Sequence, residues 1–391
     1  MNIIWALLMI LGSSAAHHPQ NDNHHVAKII ESSINSAIIA SQQKDVAVSA
    51  DNPPAKVDPQ VTAPKVKGVY VTAYSAGGSR MTQLLDLLDN TDLNSMVIDI
   101  KDDAGYITYK TDNPDLIKKG NPQPFIHDIN GLMDRLKKHN VYPIARVVVF
   151  KDTVLAKKRP DLSFVKSDGT VWKNGKGDSF VNPFSKEVWD YNIEIAKEAA
   201  KLGFKEIQFD YVRFPEGFEK RADSLKYIKN GKSRVDTVAE FVQYARKQLS
   251  PLGIRVSVDI FGYAASVPAA EGIGQDFNKI SENVDVISPM VYPSHYTTGW
   301  FGAKDPDKEP YKTIKGSMTD TFKKLTPLAD QKPIVRPWIQ DFTASWLGSG
   351  HYVKYGKAEV EEQIRALKDM NIDEYLLWNA TNRYSQGVNY K

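Results

Sequence analysis

The chain has 391 residues, enough for one domain of barrel size with additional segments, and 42% of its residues are hydrophobic, as in a globular protein. Lysine and arginine total 50 against 47 acidic residues, and this formal net charge of +3 does not indicate a nucleic-acid partner. Cysteine is absent, which excludes disulfide bonds, thiolate nucleophiles and cysteine metal ligands.

The N-terminal part of the chain is predicted to carry a signal peptide and a spacer. Residues 1–16, MNIIWALLMILGSSAA, contain an uncharged apolar run of about ten residues that ends in small ones, whereas a membrane-spanning helix needs roughly twenty. Residues 17–65 follow as a histidine-rich spacer, a short amphipathic helix at Val26–Ala40 and a proline-containing linker. We expect a secreted or periplasmic protein without stable membrane insertion after cleavage; an uncleaved anchor and a cytosolic protein are the alternatives.

Strand-like and helix-like patterns alternate from residue 66 to residue 391. The predicted strands are Gly68–Tyr74, Ser95–Lys101, Tyr142–Phe150, Glu206–Val212, Arg255–Phe261, Val286–Tyr292, Pro333–Trp338 and Glu374–Trp378. Eight apolar strands with helices between them predict an α/β fold of the (β/α)8 TIM-barrel type. A doubly wound open sheet is the alternative, although no glycine-rich phosphate-binding loop follows the first strand.

Most of these strands end in polar or aromatic side chains that a purely apolar core would not contain. In the stretch EIQFDYVRFPEG at Glu206–Gly217, Asp210 ends a buried strand and Arg213 follows it. The other side chains of this kind are Asp99, Lys101, Asp102, Asp103, Arg146, Lys151, Asp152, Gln208, Asp259, Tyr292, His295, Tyr296, Arg336, Trp338, Gln340, Asp341, Trp378 and Asn379. Because an unpaired buried carboxylate is costly, we expect these groups to meet one another or a ligand in a cavity at the C-terminal rim of the barrel.

Carboxylates, arginines and indole rings in one cleft are typical of a sugar-binding site. Aromatic faces stack on the apolar faces of pyranose rings, charged side chains bind the hydroxyl groups, and two carboxyl groups can act across a glycosidic bond. The same residues also have structural interpretations. Asp210 and Arg213 can form an ion pair, Asp259 can cap the following loop, and the aromatic rings can pack at the rim.

Five stretches of the sequence carry a resemblance to a known family. They are KGVYVTAYSAG, VIDIKDDAGYITY, VNPFSKEVWDYN, EIQFDYVRFPEG and SPMVYPSHY, in this order between Val66 and Ser385. On these motifs the chain resembles a bacterial glycoside hydrolase-like domain first catalogued as a domain of unknown function, which is distantly related to α-amylase-like barrels. The resemblance implies a barrel fold and a polysaccharide substrate.

The resemblance also implies roles for individual carboxylates. Amylase-like barrels carry a nucleophilic Asp on strand four, an acid/base Glu on strand five and a stabilising Asp on strand seven. By strand position, Asp210 matches the nucleophile and Asp341 the stabiliser, while Asp259, one methylene shorter than Glu, stands at the acid/base position. Chitinase-like barrels offer a second analogy, in which a tyrosine at the end of strand six, here in PMVYPSHY, assists an acetamido group of the substrate.

We therefore expect a glycoside hydrolase that acts on a polysaccharide or cell-surface glycan, with Asp210, Asp259 and Asp341 as catalytic residues. The residues expected to line its sugar subsites are Asp102, Arg146, Arg213, Tyr292, Trp338 and Trp378. No cofactor and no metal are predicted. One alternative is a non-catalytic carbohydrate- or cell-wall-binding protein. Another is a metal-dependent polysaccharide deacetylase or hydrolase that uses Asp102, Asp103 and His295.

Overall fold

The computed structural model of the protein describes residues 63–391, in which strands and helices alternate. Residues 1–62, with the predicted signal peptide, the histidine-rich segment and the predicted helix Val26–Ala40, lie outside the described residues. The strands are β1 (Lys67–Val71), β2 (Ser95–Lys101), β3 (Tyr142–Val148), β4 (Glu206–Asp210), β5 (Arg255–Phe261), β6 (Val286–Met290), β7 (Ile334–Val335), β8 (Trp338–Gln340) and β9 (Tyr375–Trp378).

Helices lie between most successive strands. They are α1 (Ala73–Gly77), α2 (Arg80–Asp89), α3 (Pro114–Lys119), α4 (Ile129–Lys138), α5 (Thr153–Lys158), α6 (Lys186–Leu202), α7 (Arg234–Leu249), α8 (Phe277–Ser281), α9 (Pro310–Leu325) and α10 (Lys357–Lys368). Within residues 63–391, no helix combines the length and the apolar character needed to cross a membrane.

The strands are all parallel and close into a barrel. β1 pairs with β2 on one side and with β9 on the other, and the pairing runs from β2 through β3, β4 and β5 to β6. The two short strands β7 and β8 both pair with β6, and β8 also pairs with β9, which completes the ring. The predicted (β/α)8 TIM barrel is confirmed, and the open-sheet alternative is wrong.

The seventh position of the barrel differs from the prediction. A single strand was expected at Pro333–Trp338, but the structure divides it into β7 and β8, with Arg336 and Pro337 between them. Pro337 has no N–H group to donate to a neighbouring strand, so it interrupts the ladder at this point. Pairing resumes at Trp338, which lies opposite Met290.

The long helix α6 illustrates how the outer layer forms. Val188, Ile195 and Ala199 are buried and recur at helical spacing, so one face of α6 packs against the barrel. The helix ends at Gly203, whose φ of 106° lies in the left-handed region that a side chain disfavours. Asn371 has a φ of 58° after α10, in the same left-handed region.

Side chains that point into the barrel form two polar layers. At the N-terminal ends of the strands, the buried Arg336 binds Glu206 with Nη1 to Oε1 at 2.7 Å and Glu374 with Nη2 to Oε2 at 2.9 Å. Arg336 was expected among the groups at the C-terminal rim, and this ion pairing places it at the opposite end. The second polar layer, at the C-terminal ends of β2 to β5, is the candidate active site.

Candidate active site

Arg146 on β3 lies at the centre of three carboxylates. Its Nη1 is 2.7 Å from Oδ1 of Asp99, and its Nη2 is 2.7 Å from Oδ1 of Asp103. Its Nε and Nη2 are 3.0 and 2.6 Å from Oδ2 of Asp210. Strand register explains the grouping. On β2, Asp99 lies opposite Arg146. On β4, Gln208 lies opposite Arg146, and Asp210 follows it two residues later on the same face of the strand. Every guanidinium nitrogen therefore donates to a carboxylate of the site.

The three carboxylates differ in their surroundings. Asp99 is buried, and its Oδ2 accepts a 2.6 Å hydrogen bond from the hydroxyl of Tyr70 on β1. Burial raises the pKa of Asp99 to about 6, although Arg146 acts in the opposite direction. The side chain of Asp103 is 48% exposed, and the charges of Arg146 and Lys151 outweigh the effect of desolvation and lower its pKa. Asp103 is therefore the permanently charged carboxylate at the mouth of the site.

Asp259 on β5 is the second buried carboxyl group near Asp210. Its Oδ1 accepts a 2.7 Å hydrogen bond from Nε1 of Trp338 on β8. Burial and the negative charge of Asp210 raise the pKa of Asp259 well above its ordinary value, and the hydrogen bond from Trp338 only partly offsets them. This site thus combines an ion-paired Asp210 with an Asp259 whose surroundings favour the protonated form.

The backbone immediately after Asp210 has an unusual conformation. Tyr211 has a φ of 51°, a left-handed conformation that is strained for a residue with a large side chain. This turn brings the backbone N–H of Tyr211 onto Oδ1 of Asp210 at 2.5 Å, while Oδ2 receives Arg146. Both oxygens of Asp210 are therefore oriented by hydrogen bonds, and the strain lies at a position expected of a functional residue.

Aromatic rings form one wall of the site. Trp378, the last residue of β9, stacks on Tyr70 with ring centroids 4.0 Å apart and an interplanar angle of 18°. The guanidinium carbon of Arg146 lies 5.5 Å from the centroid of each of these rings. Tyr292 lies 6.4 Å from Trp378, and burial together with the charges of Asp259 and Asp210 raises the pKa of its hydroxyl. The structure thus brings the predicted residues Arg146, Tyr292 and Trp378 to the carboxylates.

Trp338 and Arg213 differ from their predicted positions. Trp338 is completely buried, so it has no free face for a sugar ring and acts instead as the hydrogen-bond donor to Asp259. Arg213 donates to the backbone oxygen of Phe214 at 3.2 Å and to Glu216 at 3.1 Å. The ion pair between Asp210 and Arg213 that the sequence allowed is not formed, because Arg146 from the neighbouring strand occupies that role.

Asp102 and Asp341 are also engaged elsewhere. Oδ1 of Asp102 accepts three backbone hydrogen bonds, from Ala104 at 3.0 Å, Gly105 at 3.0 Å and Tyr106 at 2.9 Å, and so shapes the loop after β2. The two oxygens of Asp341 accept the hydroxyl of Ser385 at 2.6 Å and its backbone N–H at 2.9 Å. These contacts turn Asp341 towards the C-terminal loop.

Lys101 lies outside the cavity because β2 is irregular. The pairing of β2 with β3 shifts between Asp99 and Lys101, so Lys101 points outward although it stands two residues after Asp99. Its Nζ is 2.7 Å from Oδ2 of Asp152, and both side chains are fully buried. Asp152 also accepts the backbone N–H of Leu155 at the start of α5. This pair links the barrel to its outer layer, and the expectation that Lys101 and Asp152 share the cavity is wrong.

The sequence reasoning missed one residue of the site. Tyr70 was treated only as part of a strand, although an inward tyrosine among valines indicates a polar partner inside the barrel. Asp103 was expected at the rim and was also named as a ligand in the metal-dependent alternative. Within residues 63–391 no group of three or more His, Asp or Glu side chains is arranged to hold a metal ion, so Asp102, Asp103 and His295 are not gathered as that alternative requires.

The comparisons with known proteins identify the family of the chain. A family model described as "Putative glycosyl hydrolase domain" matches residues 68–384. The chain belongs to this family. The match to this glycosyl hydrolase domain family spans the whole barrel from β1 to β9 and includes Asp99, Arg146, Asp210 and Asp259. No curated protein sequence matches the chain.

Solved structures give further similarities. A hypothetical protein from Ruminiclostridium thermocellum is 35% identical over 49% of this chain and 96% of its own, with a TM-score of 0.45. The PgaB (BpsB) glycoside hydrolase domain of Bordetella bronchiseptica is 15% identical over 82% of this chain and 95% of its own, with a TM-score of 0.57. The α-galactosidase TtGalA of Thermus thermophilus, solved with p-nitrophenyl α-D-galactopyranoside, is 10% identical over 83% of this chain and 60% of its own, with a TM-score of 0.50. At these identities, the last two similarities concern the fold alone.

Proposed function

We propose that the protein hydrolyses glycosidic bonds of a polysaccharide or cell-surface glycan, with Asp210 and Asp259 as its working pair of carboxyl groups. The observation that carries the proposal is the contrast between the surroundings of these two neighbours. Asp210 is ion-paired with Arg146, whereas burial and the charge of Asp210 raise the pKa of Asp259. Acid-assisted cleavage of a glycosidic bond requires two carboxyl groups with different surroundings, so that one can donate a proton.

Asp259 is the proposed general acid. Its Oδ1 accepts the Nε1–H of Trp338, which leaves Oδ2 to carry the proton towards the oxygen of the leaving sugar. When the bond between the anomeric carbon and that oxygen breaks, the proton goes to the oxygen and Asp259 becomes a carboxylate. The hydrogen bond from Trp338 stabilises that carboxylate, so Trp338 is a positioning residue rather than a sugar platform.

Asp210 is the proposed carboxylate that faces the anomeric carbon. The N–H of Tyr211 and the guanidinium of Arg146 fix the direction of both its oxygens. In a retaining mechanism Asp210 forms a bond to the anomeric carbon, which water then hydrolyses with Asp259 as the base. In an inverting mechanism water attacks directly, with Asp210 as the base. The anomer of the first product, measured by NMR, separates the two.

Trp378 and Tyr292 are the proposed sugar contacts next to these carboxylates. Trp378 is partly exposed and its ring is held by Tyr70 and Arg146, so it can offer a fixed apolar face to a pyranose ring. Membership of a glycosyl hydrolase domain family supports a glycan as the substrate class. We also propose secretion, since the signal-like residues 1–16 would bring the barrel to extracellular or cell-wall glycans.

A polysaccharide screen with matched variants tests the proposal. The purified full-length chain, Asp210→Asn and Asp134→Asn are incubated with a panel of bacterial and plant polysaccharides, and released reducing ends are measured. Asp134 is an exposed residue of α4, so its variant controls for the loss of one negative charge. We expect turnover by the wild type and Asp134→Asn and a loss of about a thousandfold or more in Asp210→Asn, which remains folded and still binds.

The same screen identifies the alternative function. Glycan binding by all three proteins with turnover by none contradicts the hydrolase proposal and indicates a non-catalytic carbohydrate-binding barrel. Equal turnover by the wild type and Asp210→Asn refutes the role of Asp210.

A further inference from the structure

Two aromatic side chains are exposed at the rim of the barrel that carries the site. Among the described residues, the large hydrophobic side chains with high exposure are Tyr74, Ile117, Ile228, Leu252 and Trp346. Tyr74 and Trp346 are 67% and 64% exposed, and they follow the C-terminal ends of β1 and β8. A single exposed hydrophobic side chain is common on protein surfaces, so the position of Trp346 matters only if its ring is connected to the site.

A continuous series of ring contacts leads from Trp346 to the carboxylates. Trp346 stacks on Phe342 with centroids 5.8 Å apart and an interplanar angle of 23°. Phe342 lies 5.7 Å from Tyr292, and Tyr292 lies 6.4 Å from Trp378. Tyr292 is also close enough to Asp259 and Asp210 for their charges to affect its hydroxyl. Trp346 is thus the outer end of the aromatic wall of the site, and not an isolated surface residue.

Hydrogen bonds hold the loop that carries Trp346, between Gln340 and Val353, near both of its ends. Asp307 is buried, and its Oδ1 accepts the side-chain amide of Gln340 at the end of β8 at 2.8 Å. Its Oδ2 accepts the backbone N–H of Val353 at 3.1 Å, near the far end of the loop. Tyr355 adds a 3.1 Å hydrogen bond from its hydroxyl to the backbone oxygen of Asp307. The loop therefore presents Trp346 on a fixed base, so little conformational entropy is lost when a ligand stacks on it.

The segment that follows Trp346 is open to solvent at its two glycines. Gly348 and Gly350 follow it with φ of 85° and 87°, and a Cβ atom built on either glycine meets no heavy atom within 4 Å. Ser349 between them is exposed. Residues 348–350 therefore add no bulky side chain to the loop beside Trp346.

We infer that Trp346, supported by Phe342, forms an outer sugar-binding subsite, and that the preferred ligand is therefore a glycan chain extending several units beyond the bond next to Asp210. The apolar C–H face of a pyranose ring stacks on the indole, while the sugar hydroxyls remain in water. This inference rests on the proposed function, because it takes the substrate of the same site to be a glycan. It adds that the protein selects long chains over short ones.

Binding of oligosaccharide ladders tests the inference. Chito-, cello- and malto-oligosaccharides of two to eight units are titrated against full-length Asp210→Asn, which prevents cleavage of the probe, and against the same chain with Trp346→Ala, Trp346→Phe or Leu252→Ala. Leu252 is an exposed apolar residue that precedes β5 at the opposite end of the barrel, so Leu252→Ala controls for loss of exposed apolar surface. Thermal unfolding confirms that each variant is folded.

We expect the affinity for one of these oligosaccharide series to increase with chain length. Trp346→Ala should lower the affinity for its longer members by roughly five- to tenfold. Trp346→Phe should retain most of the wild-type affinity, and Leu252→Ala should leave the affinity unchanged. Equal weakening of the shortest and longest members, unchanged binding of all, or the absence of any length dependence before the substitution overturns the inference. A chain-length effect without turnover by the wild type leaves the subsite standing and removes only the hydrolase proposal.

Discussion

Replacing Arg146 by methionine removes the cation that holds the site together. The guanidinium contacts Asp99, Asp103 and Asp210, and the side chains of Asp99 and Asp210 are only 5% and 8% exposed. Methionine keeps most of the apolar stem of Arg146 but leaves these two buried carboxyl groups without their partner. Breaking a buried ion pair on one side costs about 3–5 kcal/mol, and we expect a loss of this size in the free energy of unfolding at pH 7.

The loss should become smaller in acid, and Asp99 gives the reason. Its pKa of about 6 lies above the ordinary value of 3.8, so this group lowers the stability of the folded state as the pH rises from 3.8 to about 6, and adds no further loss above that. Arg146 lowers this pKa, so removing Arg146 raises the pKa and extends the loss to higher pH. At pH 5 Asp99 is mostly protonated in both proteins, whereas at pH 7 the variant has lost up to about 1.4 kcal/mol more, because one pH unit separates pH 7 from the wild-type pKa.

Urea unfolding at pH 5 and pH 7 measures the effect. The wild type, Arg146→Met, Asp99→Asn and the double variant form a cycle in which Asn keeps an acceptor for the hydroxyl of Tyr70 while removing the titrating group. In the Asp99→Asn background, the pH dependence of the Arg146→Met effect should become smaller. An effect of Arg146→Met that is the same at both pH values, or a narrowing of the same size with and without Asp99→Asn, refutes the reasoning.

Two further substitutions separate chemistry from structure. Asp259→Asn should lower turnover of a polysaccharide about 10²–10⁴-fold but leave much of the activity on a dinitrophenyl glycoside, because that leaving group needs no proton. It should also abolish the fall in activity at alkaline pH, which we attribute to deprotonation of Asp259, whose pKa is raised. Equal losses on both substrates contradict the acid role. Asp341→Asn should lower the free energy of unfolding by about 1–2 kcal/mol, because it weakens the contacts with Ser385, and should leave kcat within a few-fold of the wild type. A loss of kcat of a hundredfold or more in a stable protein contradicts this and supports the catalytic role of stabiliser predicted for Asp341.

The sequence alone determined the barrel and the end at which its polar residues gather. Apolar runs of strand length alternate with helical patterns, and this alternation predicts parallel strands that are buried on both faces, as in a closed barrel. A carboxylate in the C-terminal half of such a run, as Asp210 and Asp259 are, lies towards the C-terminal rim. These inferences depend only on the local pattern of apolar and polar residues, which can be read directly from the sequence.

The tertiary structure decided which of those polar side chains meet. The irregular pairing after Asp99 turns Lys101 away from the cavity, although strict alternation would place it inside. Asp210 takes its cation from Arg146, 64 residues earlier in the chain, and leaves the nearby Arg213 to Glu216. Trp338 donates a hydrogen bond to Asp259, which lies 79 residues earlier in the chain. Such pairings depend on strand register and on the order of strands around the barrel, and no local pattern in the sequence encodes which distant charge or N–H group is within reach.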